Sequence, residues 1–402
     1  MKNFAVIQSM IRAGLSGDAH AFEKQVLRFR TRLSKDGEKS HVETIDRLLS
    51  SINEVKAIQP SDVEVSRAAL TGETMTADTN VPIDRETGAK LCEIQFPTSL
   101  GHINPVYADE VDGAVKSILS EWKSLESLER LEVNPTRSLL IFGPPGSGKT
   151  MTAQYIARQL ELPLVVARID GLISSFLGTT ARNIANLFDF ANRYRCVFLL
   201  DEFDAVAKLR DDPHEVGEIK RVVNTLLQNL DMRNRFGLTI AITNHDRLLD
   251  PAVWRRFDAH MHIAEPDTAA REKIAADFLA PLEVSAELAY LLAYCLEGRT
   301  GADIERLCQA AKRTIVVDGL GDTEPDILEA FSRVAFRLPD HGSIALAILA
   351  KGVGSLITHV TNDPLFGLKQ AELGRITGKD QSVISRLKKH DSPTALGEIG
   401  HA

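Results

Sequence analysis

Apolar residues recur at helical spacing through the first part of the chain: Phe4, Ile7, Ile11 and Leu15 form one stripe, Phe22, Val26, Phe29 and Leu33 a second, and Ile45, Leu48, Leu49 and Ile52 a third. The pattern predicts a small helical bundle or hairpin over 1–58. From 59 to 105, turn formers and acidic residues interrupt any sustained period, which predicts an irregular linker, strand-like in places. Over 106–265 the rhythm changes, and short apolar runs such as Ser138 to Phe142 and Leu164 to Ile169 alternate with helical stretches. That alternation is the mark of a parallel sheet with helices on both faces. Helical periodicity alone returns over 266–338, as a lid would, and again over 339–402. The expected fold is therefore α/β, with a sheet-based core, a helical lid after it, and helical N- and C-terminal regions on either side.

Chemistry enters at the ends of the predicted strands. The run Gly143-Pro144-Pro145-Gly146-Ser147-Gly148-Lys149-Thr150 is a complete G-x-x-x-x-G-K-[ST] phosphate loop between an apolar strand and a helix. Its glycines let backbone N–H groups turn towards a triphosphate, Lys149 reaches the β and γ oxygens, and the Thr150 hydroxyl completes a Mg²⁺ shell at a helix N-terminus. Met151 follows on that helix and joins the ATP-binding set. Cys196-Val197-Phe198-Leu199-Leu200-Asp201-Glu202 is a buried-strand run ending in two carboxylates, a Walker B pattern. Asp201 is placed to hold Mg²⁺, and Glu202 to polarise the water that attacks the γ-phosphate, since phosphoryl transfer depends on positioning and charge. The core is thus expected to be a P-loop sheet.

Composition narrows the surroundings. At 402 residues the chain has room for about two or three domains. A formal charge of −8 excludes a protein that coats nucleic acid or membrane over its whole surface, while leaving room for a local basic patch. Cys92, Cys196, Cys295 and Cys308 show no C-x-x-C spacing, as expected of buried thiols in a reducing cytoplasm. No apolar run approaches the roughly 18 residues of a membrane span, and no signal peptide is legible, so a cytoplasmic location is expected.

With these motifs in order, the chain from about 106 to 337 resembles an AAA ATPase of the AAA clade proper. Leu238 to Asn244, a strand ending in Asn, is similar to sensor 1, which implies that Asn244 orients the attacking water or touches the γ-phosphate. Asp250-Pro251-Ala252-Val253-Trp254-Arg255-Arg256-Phe257-Asp258 resembles the second region of homology, whose arginines reach the nucleotide of a neighbouring subunit. The family often spaces these arginines apart, whereas here they are adjacent, and both Arg255 and Arg256 stand as candidates. A guanidinium delivered at the γ-phosphate neutralises transition-state charge, so a trans arginine implies an oligomer. The resemblance implies a ring, usually of six subunits. In the lid, Glu297 to Ile304 resembles the sensor 2 segment, in which Gly301 and Ala302 pack against the adenosine; many relatives outside this clade carry arginine at the position of Ala302.

Two loops and the C-terminal region speak to what the ring acts on. Ser174-Ser175-Phe176-Leu177-Gly178 is similar to the substrate-gripping pore loop of protein unfoldases: Phe176 and Leu177 would engage an extended polypeptide, and Gly178 would let the loop move. A second loop, Arg210 to Gly217, is acidic and unsuited to DNA phosphates. Residues 368–389 closely resemble a phage-repressor helix-turn-helix, with a first helix ending at Gly378 and a second beginning near Gln381. Gln381, Ser382, Ser385 and Arg386 would then project towards a major groove. The leading expectation is an oligomeric ATP-driven remodeller of a protein client or regulator of a partner protein. The alternatives are an ATP-regulated DNA-binding protein and a scaffold in which slow hydrolysis times assembly with a partner. The arrangement also resembles bacterial ATPases that accompany a subtilisin-like protease, and no protease motif occurs in the chain itself.

Overall fold

The computed structural model describes residues 7–9, 19–39, 41–42, 44–46, 72–101, 103–168, 177–205, 218–233, 237–335 and 343–389. They fall into two compact units, Met1–Arg67 and Ala68–Ala402. In the first, helix α1 (Ala19–Lys35) carries the second apolar stripe, with Leu33 buried and Val26 and Phe29 half-buried. Arg30 on α1 donates to Asp46 through Nη2 at 2.8 Å. Most of the first and third stripes lies outside the described residues.

In the second unit, β1 (Cys92–Gln95), β2 (Ser138–Phe142), β3 (Leu164–Ala167), β4 (Val197–Leu200), β5 (Leu238–Thr243) and β6 (Ala259–His262) form one sheet in the order β1-β3-β4-β5-β2-β6. The last five run parallel, and β1 pairs antiparallel with β3, Cys92 opposite Ala167 and Gln95 opposite Leu164. This strand lies in the stretch read from sequence as an irregular linker, strand-like in places, and with 4 residues it is too short to show a period. Just before it, Asp84 is buried at a turn. Its Oδ1 accepts from the Glu86 N–H at 2.7 Å and its Oδ2 from Asn183 Nδ2 at 3.1 Å, and the Glu86 N–H is the main cause of its lowered pKa.

The helices around the sheet are α2 (Asp109–Lys123), α3 (Leu125–Arg130), α4 (Lys149–Gln159), α5 (Leu177–Arg193), α6 (Glu218–Met232) and the single turn α7 (Pro251–Trp254). Alternate residues of each strand point to opposite faces, so Leu139, Ile141 and Leu199 pack with α2 and α4, whereas Leu140, Phe198 and Leu200 pack with α5 and α6. Every residue of β4 and β5 is buried, as strands inside a doubly covered parallel sheet must be.

After the sheet come α8 (Thr268–Leu279), α9 (Ala286–Cys295), α10 (Gly301–Asp318) and α11 (Glu324–Val334), then α12 (Ile344–Leu349), α13 (Val353–Asn362), α14 (Gln370–Thr377) and α15 (Gln381–Lys389). Side-chain caps start the lid helices: Asp267 accepts from the Ala270 N–H at 2.8 Å, Ser285 from Leu288 at 3.2 Å and Thr300 from Asp303 at 3.3 Å. One apolar core runs through both sets of helices, from Ala275 to Ile384. All four cysteines are free and buried, and burial pushes the Cys92, Cys295 and Cys308 thiols up to about 12. Among the described residues no helix is long and apolar enough to cross a membrane.

Candidate active site

The phosphate loop joins the C-terminal end of β2 to the start of α4, where open α/β sheets bind their ligands. Two of its glycines are required by close approach. Gly143 sits at φ +146, and a Cβ there would lie 2.1 Å from the Ile263 carbonyl oxygen. Gly146 sits at φ +79, where a Cβ would lie 2.8 Å from Thr300 Oγ1 and 3.0 Å from Ala302 Cβ. Gly143→Ala is therefore expected to destabilise the protein by more than about 1 kcal/mol, read as a lowered Tm, because both the backbone angle and the carbonyl reject a side chain. An unchanged Tm would mean that the strand β6 exit yields instead.

Lys149 opens α4 and is buried, with Nζ donating to the Gly143 carbonyl at 3.0 Å and the Pro144 carbonyl at 2.7 Å. Burial lowers its pKa, while the charges of Asp201 and Asp204 act the other way. Thr150 Oγ1 donates to Asp201 Oδ2 at 3.0 Å, which sets two oxygen ligands side by side. That donor set suits Mg²⁺, which takes oxygen ligands and retains several waters. The buried Ser147 hydroxyl has no hydrogen-bond partner among the described residues, an orphan that a phosphate oxygen would satisfy.

Glu202 follows β4 in the left-handed region, φ 53, with its N–H bonded to Asp201 Oδ1 at 2.9 Å. Thr243 ends β5 opposite Phe142, so Asn244 emerges beside the strand that feeds the phosphate loop. Thr243 Oγ1 donates to the buried Asp204 Oδ1 at 3.2 Å. The lid arrives at the same place: the Ala302 N–H donates to the Gly146 carbonyl at 3.1 Å, so Gly301 and Ala302 stand on the loop itself.

The two arginines follow α7 and differ in their surroundings. Arg256 Nη1 is ion-paired with Asp231 at the end of α6 of the same chain. Arg255 is exposed and has no ion-pair partner among the described residues. The neighbouring carboxylates are committed elsewhere: Asp250 Oδ1 caps α7 through the Ala252 N–H at 2.6 Å, and Asp258 Oδ2 accepts from Arg137 and Ser138 at 2.9 and 3.0 Å. Aromatic rings hold the segment at both ends, Trp254 edge-on to Phe142 at 5.1 Å and Phe257 edge-on to Phe203 at 6.0 Å.

Phe176 and the loop from Arg210 to Gly217 lie outside the described residues, and Leu177 and Gly178 form the first turn of α5. Gln381, Ser382, Ser385 and Arg386 are exposed on α15. Several residues beside the phosphate loop, Tyr107, Ala108, His262 and Ile263 among them, carried no sequence signal. Tyr107 donates to Thr152 Oγ1 at 3.0 Å, and Tyr107, Ala108, Ser147, His262, Ile263 and Gly301 line a cavity of about 310 Å³ beside the loop. Asp204 completes D-E-x-D after β4, but only the sheet brings Thr243 against it.

The stretch 139–265 matches the family described as ATPase family associated with various cellular activities (AAA). An uncharacterized AAA family ATPase of Sinorhizobium fredii is 39% identical over 201 residues, which cover 50% of this chain and 61% of that protein. A proteasome-activating nucleotidase of Methanopyrus kandleri is 28% identical over 279 residues, 67% of this chain and 64% of that protein. The chain thus spans less than two thirds of the length of either relative. A solved structure described as "Structural Basis for Katanin Self-Assembly" overlaps 56% of this chain and 75% of its own at 24% identity, with a TM-score of 0.45. The AAA match begins at Leu139 in β2 and ends at Glu265, just past β6, so it spans the phosphate loop, the Walker B strand and the arginine segment but stops before the lid.

Proposed function

We propose that the chain is a Mg²⁺-dependent ATP hydrolase, working as an oligomer and most naturally as a six-membered ring, that remodels a protein client or regulates a partner protein. The observation that supports hydrolysis best is the hydrogen bond from Thr150 Oγ1 to Asp201 Oδ2, 3.0 Å, at the mouth of a loop that also holds Lys149 and touches the lid. In this reading the loop N–H groups and Ser147 bind the phosphates, and Lys149 leaves its two carbonyl acceptors for the β and γ oxygens. Thr150 and Asp201 would hold Mg²⁺, which would neutralise charge on the phosphates. Glu202 accepts the proton of the attacking water, Asn244 orients that water, and Gly301, Ala302 and the cavity at Tyr107 take the adenosine. An exposed Arg255 supplies charge to the site of an adjoining subunit.

The reading of a polypeptide client is supported by the resemblance of Ser174 to Gly178 to a pore loop and by a relative named for activating the proteasome. Steady-state hydrolysis titrated with an unstructured polypeptide tests it. Turnover is expected to rise several-fold, and Phe176→Ala is expected to lose the rise while keeping basal turnover. A flat titration would remove the client and leave regulation of a partner, for which co-purification with a subtilisin-like protease is the first trial.

A further inference from the structure

The helices α14 and α15 form a close pair beyond the lid, joined by a tight turn. α14 ends at Gly378, which takes the left-handed conformation at φ 64, and the Lys379 N–H returns to the Gly374 carbonyl at 3.1 Å. α15 then starts at Gln381. A Cβ on Gly374 would lie 2.9 Å from the Lys379 carbonyl oxygen, so the tight turn depends on that glycine. Leu373, Ile376 and Ile384 are buried in the core shared with the lid, which fixes the rotation of α15 and leaves Gln381, Ser382, Ser385 and Arg386 outward. We propose that this outward face binds duplex DNA in the major groove, as a reading helix carried by the lid.

Charge and chemistry select this occupant. Residues 369–389 hold Lys369, Arg375, Lys379, Arg386, Lys388 and Lys389 against Glu372 and Asp380, within a chain of net charge −8. Arg375 is engaged by Glu287 at 2.7 Å, and Glu372 accepts from the Lys369 N–H at 2.8 Å, whereas Lys379 and Arg386 form no ion pair among the described residues. Gln and Arg make bidentate contacts to adenine and guanine edges, and Ser serves either. A protein-docking face would present apolar or aromatic anchors at its centre, and the four outward positions have none. The pair packs on the lid: a Cβ at Gly378 would lie 3.2 Å from Pro325 Cγ at the start of α11.

The proposal stands apart from the client reading, and its test uses the full chain. Fluorescence anisotropy is measured with a labelled duplex of mixed sequence and with duplexes selected from a randomised pool, across a salt series. The expected result is saturable binding that weakens with salt, a loss on the order of tenfold for the selected duplex in Arg386→Ala, and a salt slope lowered by about one in Lys379→Ala. Circular dichroism melting shows that each variant is folded. No duplex binding at low salt overturns the proposal, as does binding unchanged in the triple variant Gln381→Ala, Ser385→Ala, Arg386→Ala. Equal competition by single-stranded RNA overturns it as well, and so does a protein partner that this triple variant fails to bind when the wild-type chain binds no duplex.

Discussion

Glu202→Gln is expected to bind ATP with near wild-type affinity and to hydrolyse it about 10²- to 10⁴-fold more slowly, the range a positioned general base supplies. The backbone at Glu202 is in the left-handed region at φ 53, a conformation that costs a residue with a Cβ about 1–3 kcal/mol and persists where surroundings enforce it. The enforcement is visible: the Glu202 N–H is held by Asp201 Oδ1 at 2.9 Å, and the next N–H, that of Phe203, by the Ile242 carbonyl at 2.8 Å. Glutamine keeps the size of the side chain and its exposure but removes the basic oxygen. The groups assigned to binding, Lys149, Thr150 and Asp201, are untouched, so affinity for a fluorescent ATP analogue should hold while phosphate release collapses. Wild-type release from this variant would transfer the role to Asp204, the buried carboxylate two residues on.

The parts of the site that were legible in sequence are those in which spacing along the chain determines geometry. The phosphate loop is contiguous, so G-x-x-x-x-G-K-T specifies both its residues and its shape, and the two carboxylates sit at the end of a strand that every neighbour buries. The lid motif was legible as a segment, whereas its contact was not: the Ala302 N–H reaches the Gly146 carbonyl across 156 positions of sequence only because the lid folds back over the sheet. Tyr107 and Asp204 were missed for the same reason, since each acquires its meaning from a partner on another element, Thr152 and Thr243. Strand β1 was legible only as a strand-like patch in an irregular stretch, because 4 residues carry no measurable period, and its place at the sheet edge comes from pairing with β3. Adjacency hid the difference between the two arginines, and tertiary structure exposes it.

Arg255→Ala is expected to lower turnover on the order of 10³-fold with little change in ATP affinity, the effect of removing an arginine that acts only on the transition state. Arg256→Ala is expected to lower it far less. The asymmetry follows from the pairing of Arg256 with Asp231 of its own chain, which spends that guanidinium on joining the arginine segment to α6. Arg255, one residue earlier, projects from a segment pinned at Trp254 to Phe142, before the phosphate loop, and at Phe257 to Phe203, after Glu202. In the proposed ring, a finger mounted between these two anchors would move with its own phosphate loop and so would link one subunit's occupancy to its neighbour's chemistry. Mixing Arg255→Ala with Glu202→Gln subunits separates action in trans from action in cis. Each variant alone is nearly silent, but where the two meet, a site with intact Glu202 receives Arg255 from the other subunit, and hydrolysis should reappear. A mixture as silent as its parts would place Arg255 in its own subunit's site, and full activity of Arg255→Ala alone would remove it from catalysis.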